Sequence, residues 1–239
     1  MPWLWFAIAM VAVGAVVLML VWRPTEFASG IPEDTNSARP TGSQWNELES
    51  PTKSPTDDDF GGGEVVDCPQ NSSDYRSEVD PDGRIRGGGL SFEARPDWNN
   101  QVAWLPWLYD HNYQTRTITS MWVSHVSVGV VHTSEGFTSP RHTAESLMSC
   151  MASSDLFLGF SGRDDLYNDS FRLDGKVGWR VTSNVFVDNQ GDIKGDVVDI
   201  IVLDLGDEGK YSVFTSAATI DHEENLQEVA EATESLRVE

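Results

Sequence analysis

The first apolar feature of the chain is an uninterrupted run at its N-terminus. Residues 2–22 contain no charged side chain, and Trp3, Trp5 and Trp22 stand near the ends of the run. A helix of this length extends about 31 Å, the thickness of the hydrocarbon core of a bilayer, and tryptophan favours membrane interfaces. The pattern predicts a single-pass transmembrane anchor, residues 1–23. A cleavable signal peptide is the alternative, and no basic residue precedes the run to favour it.

The next segment, residues 24–82, has few apolar side chains and many Pro, Ser, Thr, Gly and acidic residues. Such a stretch cannot bury enough apolar surface to offset the entropy cost of ordering it. We therefore predict a disordered acidic linker over residues 24–82. Two acidic motifs could be read as cation sites. We interpret Asp57-Asp58-Asp59 instead as a solvated acidic run, and Asp80-Pro81-Asp82-Gly83 as a turn.

Regular apolar patterns return in residues 83–239, which we predict to form one globular α+β domain. Alternating or β-branched stretches separated by Asp-Gly, Gln-Gly and Glu-Gly turns are typical of strands joined by hairpins. Apolar residues at helical spacing indicate two helices. The pattern predicts strands at residues 89–95, 117–131 (one long or two short), 171–173, 177–187, 193–205 and 211–217, and helices at 141–153 and 222–236.

One predicted strand, residues 193–205, is apolar on both faces. Val197 and Ile201 alternate with Val198 and Ile200, and a strand that is apolar on both faces is covered on both sides. The sequence therefore predicts an antiparallel sheet between layers that include the two helices, an α/β/α sandwich.

These segments also resemble a known family in their order along the chain. A Gly-Leu-Ser-Phe strand from Gly89 is followed by Pro96 and Trp98, by the helix with Cys150, by the motifs LDGKVGWRV and GDVVDIIVLD, and by a closing ESLRV. Together they resemble the Mog1/PsbP-like fold over residues 85–238, and within it the actinobacterial membrane-anchored, LpqN-like branch. The resemblance implies an α/β/α sandwich, a non-enzymatic role in binding or assembly, and no catalytic residue or cofactor.

The negative charge of the chain narrows the range of functions that we expect. The net charge is −22, and residues 83–239 alone carry 24 acidic against 12 basic residues, so both linker and domain are acidic. Nucleic-acid binding depends on Lys and Arg that neutralise phosphates. We therefore expect no nucleic-acid partner.

The chain has two cysteines, Cys68 and Cys150, and neither belongs to a Cys-x-x-Cys pair. In a chain that crosses a membrane into an oxidising compartment, two such cysteines indicate a disulfide. The alternative is one buried and one exposed thiol.

An aromatic cluster is the candidate binding surface. Trp98, Trp104, Trp107, Tyr109 and Tyr113 lie within sixteen residues interrupted by a proline, which predicts a loop or irregular segment. Exposed Trp and Tyr on loops serve recognition. The alternative is that these rings fill the core beneath a long loop.

Metal and catalytic motifs are not found. The five histidines lack metal-ligand spacing, and neither a Gly-x-Ser-x-Gly nor a Ser-x-x-Lys motif occurs. A Ser–His–Asp set could still assemble in space. The aspartates of the 193–205 region could form a carboxylate pair, but solvated strand ends and turns are the preferred interpretation of Asp192, Asp196, Asp199 and Asp204.

These patterns lead to two hypotheses of different class, and they leave open a third, a structural anchor that binds no small ligand. The first is a membrane-anchored, non-enzymatic binding or assembly protein whose C-terminal domain lies outside the cytoplasm and contacts another envelope protein or a cell-wall polymer. The alternative is a cell-envelope hydrolase, which requires a cleft that joins a histidine to a serine or an aspartate.

Overall fold

The structure is a computed structural model, and it describes residues 68–99 and 101–239. Within these residues no helix is long and apolar enough to cross a membrane. The predicted transmembrane anchor and residues 24–67 of the predicted linker lie outside the described residues.

The described chain forms a sheet-dominated domain with two α-helices. Its elements in chain order are β1 (Tyr75–Arg76), β2 (Arg84–Gly87), β3 (Leu90–Glu93), β4 (Tyr109–Thr119), β5 (Trp122–His132), α1 (Pro140–Ala152), β6 (Phe160–Leu173), β7 (Lys176–Val187), β8 (Gly195–Asp204), β9 (Lys210–Thr219), α2 (Glu223–Glu234) and β10 (Arg237–Val238).

Seven strands form the main sheet in the order β1-β4-β5-β9-β8-β7-β6, and a small sheet has the order β10-β3-β2. Every neighbouring pair is antiparallel except β1 and β4, which are parallel. The predicted antiparallel sheet is therefore correct for all strands but β1. That strand belongs to the segment that leads into the domain and adds to the edge of β4.

Two apolar clusters cover the two faces of the main sheet. On one face, α1 contributes Leu147 and Met151, which join Val198 and Ile200 of β8. On the other face, the small sheet and α2 pack against the alternate residues of β8, among them Ile201. The prediction that this strand is covered on both sides is confirmed.

Local sequence signals account for the start of α1 and for the turn between β6 and β7. Ser139 caps α1 by accepting a hydrogen bond from the backbone N–H of His142, and Pro140 occupies the first turn, where its missing N–H costs nothing. The β6–β7 hairpin turns at Asp174 and Gly175, both with positive φ, as an Asp-Gly turn requires.

Three sequence predictions differ from the structure. Residues 117–131 hold the end of β4, a tight turn at Ser120 and Met121, and most of β5; the turn has no Gly, Pro, Asn or Asp to mark it. β6 is far longer than predicted, because its mostly exposed residues show no apolar alternation. Described residues from Cys68 onward also contact the domain, ahead of the predicted boundary at residue 83.

Candidate functional site

The segment that leads into the domain is fastened at several points. Cys68 forms a disulfide with Cys150 of α1, with Cα atoms 5.6 Å apart. The backbone N–H of Ser72 donates to the carbonyl of Pro106 at 2.8 Å. The guanidinium of Arg76 in β1 contacts the carboxylate of Asp110 at 2.6 Å. The predicted disulfide is thus present, and it links this segment to α1.

The five aromatic residues of the predicted binding surface do not lie together. Trp98, Trp107 and Tyr113 are buried in the domain, whereas Tyr109 is half-buried and donates from its hydroxyl to Glu135 at 2.7 Å. Trp104 is 42% exposed. The two apolar clusters also separate these rings, since Trp98 belongs to the cluster of α2 and Trp107 to that of α1.

Burial explains the separation. Segment 101–108 is irregular, as predicted, but it lies over the α1 side of the sheet and inserts several side chains into the core, among them Leu105, Trp107 and Leu108. Tyr109 and Tyr113 belong to β4, a strand that the sequence pattern does not predict at those positions. Of the five rings, Trp104 is therefore the one that presents a large exposed face.

Trp104 has an exposed aromatic neighbour that the sequence pattern does not predict. Tyr75 in β1 is 44% exposed, and its ring centroid lies 6.3 Å from that of Trp104. The indole N–H of Trp104 donates to the carbonyl of Ser72 at 3.1 Å, which fixes the orientation of the ring. Tyr75 lies 29 positions before Trp104, in a segment predicted to be disordered, so spacing gave no signal for the pair.

A groove of about 260 Å³ borders Trp104. We call it the disulfide groove, since both cysteines of the disulfide line it together with Gln70, Trp104, Pro106, Trp107, Ser153, Ser154, Asp155 and Leu156. It combines an exposed indole with hydroxyl, amide and carboxylate groups, and can therefore hold a ligand that has both an apolar and a polar part.

A second cavity, of about 230 Å³, adjoins this groove. We call it the Asp196 cavity. It shares Asp155 and Leu156 with the disulfide groove, and it is also lined by Trp122 and His125 from β5 and by Asp196 from β8. Strands β5 and β8 are far apart in sequence and are joined through β9 in the sheet.

The structure contradicts the expectation that Asp196 and Asp199 lie at solvated strand ends. Asp196 and Asp199 are only 2% and 6% exposed, so they are not solvated strand ends. The carboxylate of Asp196 accepts from the indole N–H of Trp122 at 2.9 Å, and that of Asp199 accepts from Arg180 and Thr182, both at 2.8 Å. Three positions apart on one strand, the two carboxylates point to opposite faces and cannot form a catalytic pair.

Burial shifts the ionisation of the groups near the Asp196 cavity. Burial raises the pKa of Asp196 to about 7, against the opposing effect of hydrogen bonds from Trp122 and Thr219. Burial lowers the pKa of His125 to about 4. Near neutral pH the imidazole is therefore uncharged, and the carboxyl is divided between its two forms.

The cleft that a hydrolase requires is only partly formed. His125 and Asp196 line one cavity, but Asp196 is bonded to Trp122 and Thr219 rather than to the imidazole. The Nε2 atom of His125 has no hydrogen-bond partner among the described residues. Residues 68–99 and 101–239 also contain no group of three or more His, Cys, Asp or Glu placed to hold a metal ion.

Comparison with known proteins gives a likeness in fold only. No family model matches the sequence, and no curated protein matches it. Among solved structures, the chain is similar to cyanobacterial PsbP (CyanoP) from Synechocystis, with 14% identity, a TM-score of 0.43 and coverage of 68% of this chain and 91% of that one. It is also similar to the Saccharomyces cerevisiae Ran-binding protein Mog1p, with 10% identity, a TM-score of 0.40 and coverage of 63% and 90%.

Values this low support no functional conclusion from either protein. The narrower resemblance to the actinobacterial LpqN-like branch has no support among these similarities.

Proposed function

We propose that this chain is a non-catalytic binding module, anchored in a membrane by residues 2–22, which holds a segment of a protein partner against its domain outside the cytoplasm. The observation that carries the proposal is the exposed, oriented Trp104 at the edge of the disulfide groove.

Trp104 has the properties of an interface anchor. Tryptophan is over-represented among the residues that dominate binding energy at protein interfaces. Its ring is already held by the carbonyl of Ser72 and flanked by Tyr75, so little side-chain freedom remains to be lost on binding. The disulfide and the β1–β4 pairing fix the backbone beneath these residues.

The negative charge of the chain favours a basic partner. The chain carries a net charge of −22, and Asp155 lines the groove beside Trp104. Anionic polymers and nucleic acids are repelled by such a surface, whereas a basic segment is attracted. The proposed partner segment therefore combines Lys or Arg with an apolar side chain that contacts Trp104.

The proposed location rests on the anchor sequence and the disulfide. Disulfides persist in oxidising compartments outside the cytoplasm, which supports placing the domain there. The envelope-hydrolase alternative has weaker support, because the hydrogen bonds of Asp196 leave it without the bond to His125 that an activated base requires.

Site-directed photo-crosslinking tests this proposal in the full chain in its native membrane. Benzoylphenylalanine would replace Trp104 or, as a control, Tyr167, which is similarly exposed (43%) and lies in β6, at the opposite edge of the main sheet. We expect position 104, and not position 167, to crosslink to one protein, in a segment that mass spectrometry shows to be basic and apolar. Attachment to glycan would favour a cell-wall polymer instead, and equal crosslinking at both positions would contradict the proposal.

A further inference from the structure

Three features of the Asp196 cavity are typical of a ligand-binding site. It has a volume of about 230 Å³, it is lined by a buried carboxyl group, and it is lined by a buried imidazole whose Nε2 has no hydrogen-bond partner among the described residues. Buried polar atoms without a partner are uncommon in folded proteins and call for an explanation. The lining thus offers two buried polar side chains, the carboxyl of Asp196 and the imidazole of His125, to a ligand that occupies the cavity.

The charged side chains that line the cavity determine whether it favours a positively or a negatively charged ligand. Among the described residues of its lining there are two aspartates, Asp155 at the surface and Asp196 inside, and no lysine or arginine. The imidazole of His125 is uncharged near neutral pH, since burial lowers its pKa to about 4. The lining therefore offers no positive charge to an anion, whereas it offers a cation the carboxylate of Asp155 and, when ionised, that of Asp196.

Aromatic rings in the lining favour an organic cation. Trp122 and Phe157 both line the cavity, and their centroids lie 5.9 Å apart in an edge-to-face arrangement. The faces of such rings attract ammonium groups. The exposed side chains of Val102 and Met121, 62% and 79% exposed, add apolar surface to the lining. These residues suit a ligand with an apolar body as well as a charged head.

We propose that the Asp196 cavity binds a small organic ammonium ion, whose N–H groups donate to the carboxylate of Asp196 and to the imidazole of His125, with its apolar body between Val102 and Met121. An ammonium group has three donors and no acceptor, which matches two acceptor groups in the cavity. The volume is that of about eight waters, which limits the ligand to a comparably small number of heavy atoms.

This site is separate from the surface proposed for the protein partner. Trp104 does not line the Asp196 cavity, and neither Asp196 nor His125 lines the disulfide groove. A variant of Trp104 can therefore remove partner binding without removing the ammonium site, and a variant of Asp196 can do the reverse.

Ligand-observed NMR titration of the full chain in nanodiscs tests the inference, with benzylamine as the probe and benzyl alcohol and benzoate as neutral and anionic analogues of similar size. We expect saturable binding of benzylamine alone. We expect Asp196→Asn to weaken it at least about tenfold. Asp199→Asn is the matched control, since it changes a buried carboxylate of the same strand on the opposite face, and it should leave the affinity unchanged.

Equal binding of benzylamine and benzyl alcohol, or none of either, would overturn the inference, as would equal effects of the two aspartate variants. Should Asp196→Asn fail to fold, the ligand series on the unmodified chain still decides the question. Met121→Ala, at an exposed position that lines this cavity and not the disulfide groove, then provides a second variant that should weaken benzylamine binding.

Discussion

The Cys68–Cys150 disulfide closes the chain across a sequence separation of 82 residues. A crosslink stabilises a protein mainly by restricting the unfolded chain, and for a loop of this length the chain-entropy relation gives about 4.5 kcal/mol at 25 °C. We expect the double variant Cys68→Ala/Cys150→Ala to lose up to that free energy of unfolding. Urea denaturation at pH 7, followed by intrinsic fluorescence, measures the change.

The same variant distinguishes the effect of the disulfide on the unfolded chain from its effect on the folded segment around Ser72. Without the crosslink the unfolded chain expands, so the dependence of the unfolding free energy on urea should also become steeper. In the folded state, the backbone amide of Ser72 should exchange hydrogen faster, since its bond to Pro106 is then held by local contacts alone. The reduced wild-type protein is the control and should behave as the variant does. A loss below about 1 kcal/mol with an unchanged urea dependence would refute the loop-closure reasoning.

Three further outcomes are expected from single substitutions. Gly178→Ala should cost about 1–3 kcal/mol, since a Cβ would lie 1.9 Å from the carbonyl oxygen of Val202, whereas Gly162→Ala, with open space around it, should be close to neutral; urea denaturation compares them. Burial lowers the pKa of His111 to about 3, so wild-type stability falls as pH drops below 6.5, and His111→Leu should gain about 2 kcal/mol relative to wild type between pH 7 and pH 5. Trp98→Ala should cost about 3–5 kcal/mol, because the ring is 7% exposed in the α2 cluster; a loss below 1 kcal/mol would contradict its place there.

The parts of the fold that the sequence predicts well have strong local or periodic signals. The apolar alternation of β8 on both faces predicts a covered strand, Pro140 and the helical spacing that follows predict α1, and Asp174-Gly175 predicts the hairpin turn. Each signal depends on a few neighbouring residues and on the period of one element. None of them requires knowledge of a distant segment.

The parts that it does not predict depend on distant contacts or lack an apolar pattern. The edge strand β6 pairs through its backbone while most of its side chains are exposed, so no alternation reveals it. Tyr75 reaches Trp104 only because β1 adds to β4. Trp122, from β5, and Asp196, from β8, meet across the sheet, and no spacing in the sequence relates them.

The central claim, that Trp104 anchors a partner segment, is tested most directly by the affinity of that segment. Once crosslinking has identified it, its dissociation constant would be measured for the full chain, for Trp104→Ala, and for Tyr167→Ala as the control of similar exposure. The account predicts that Trp104→Ala weakens binding by about thirtyfold or more while the variant stays folded without urea, and that Tyr167→Ala has no effect. Equal affinities for all three proteins would contradict it.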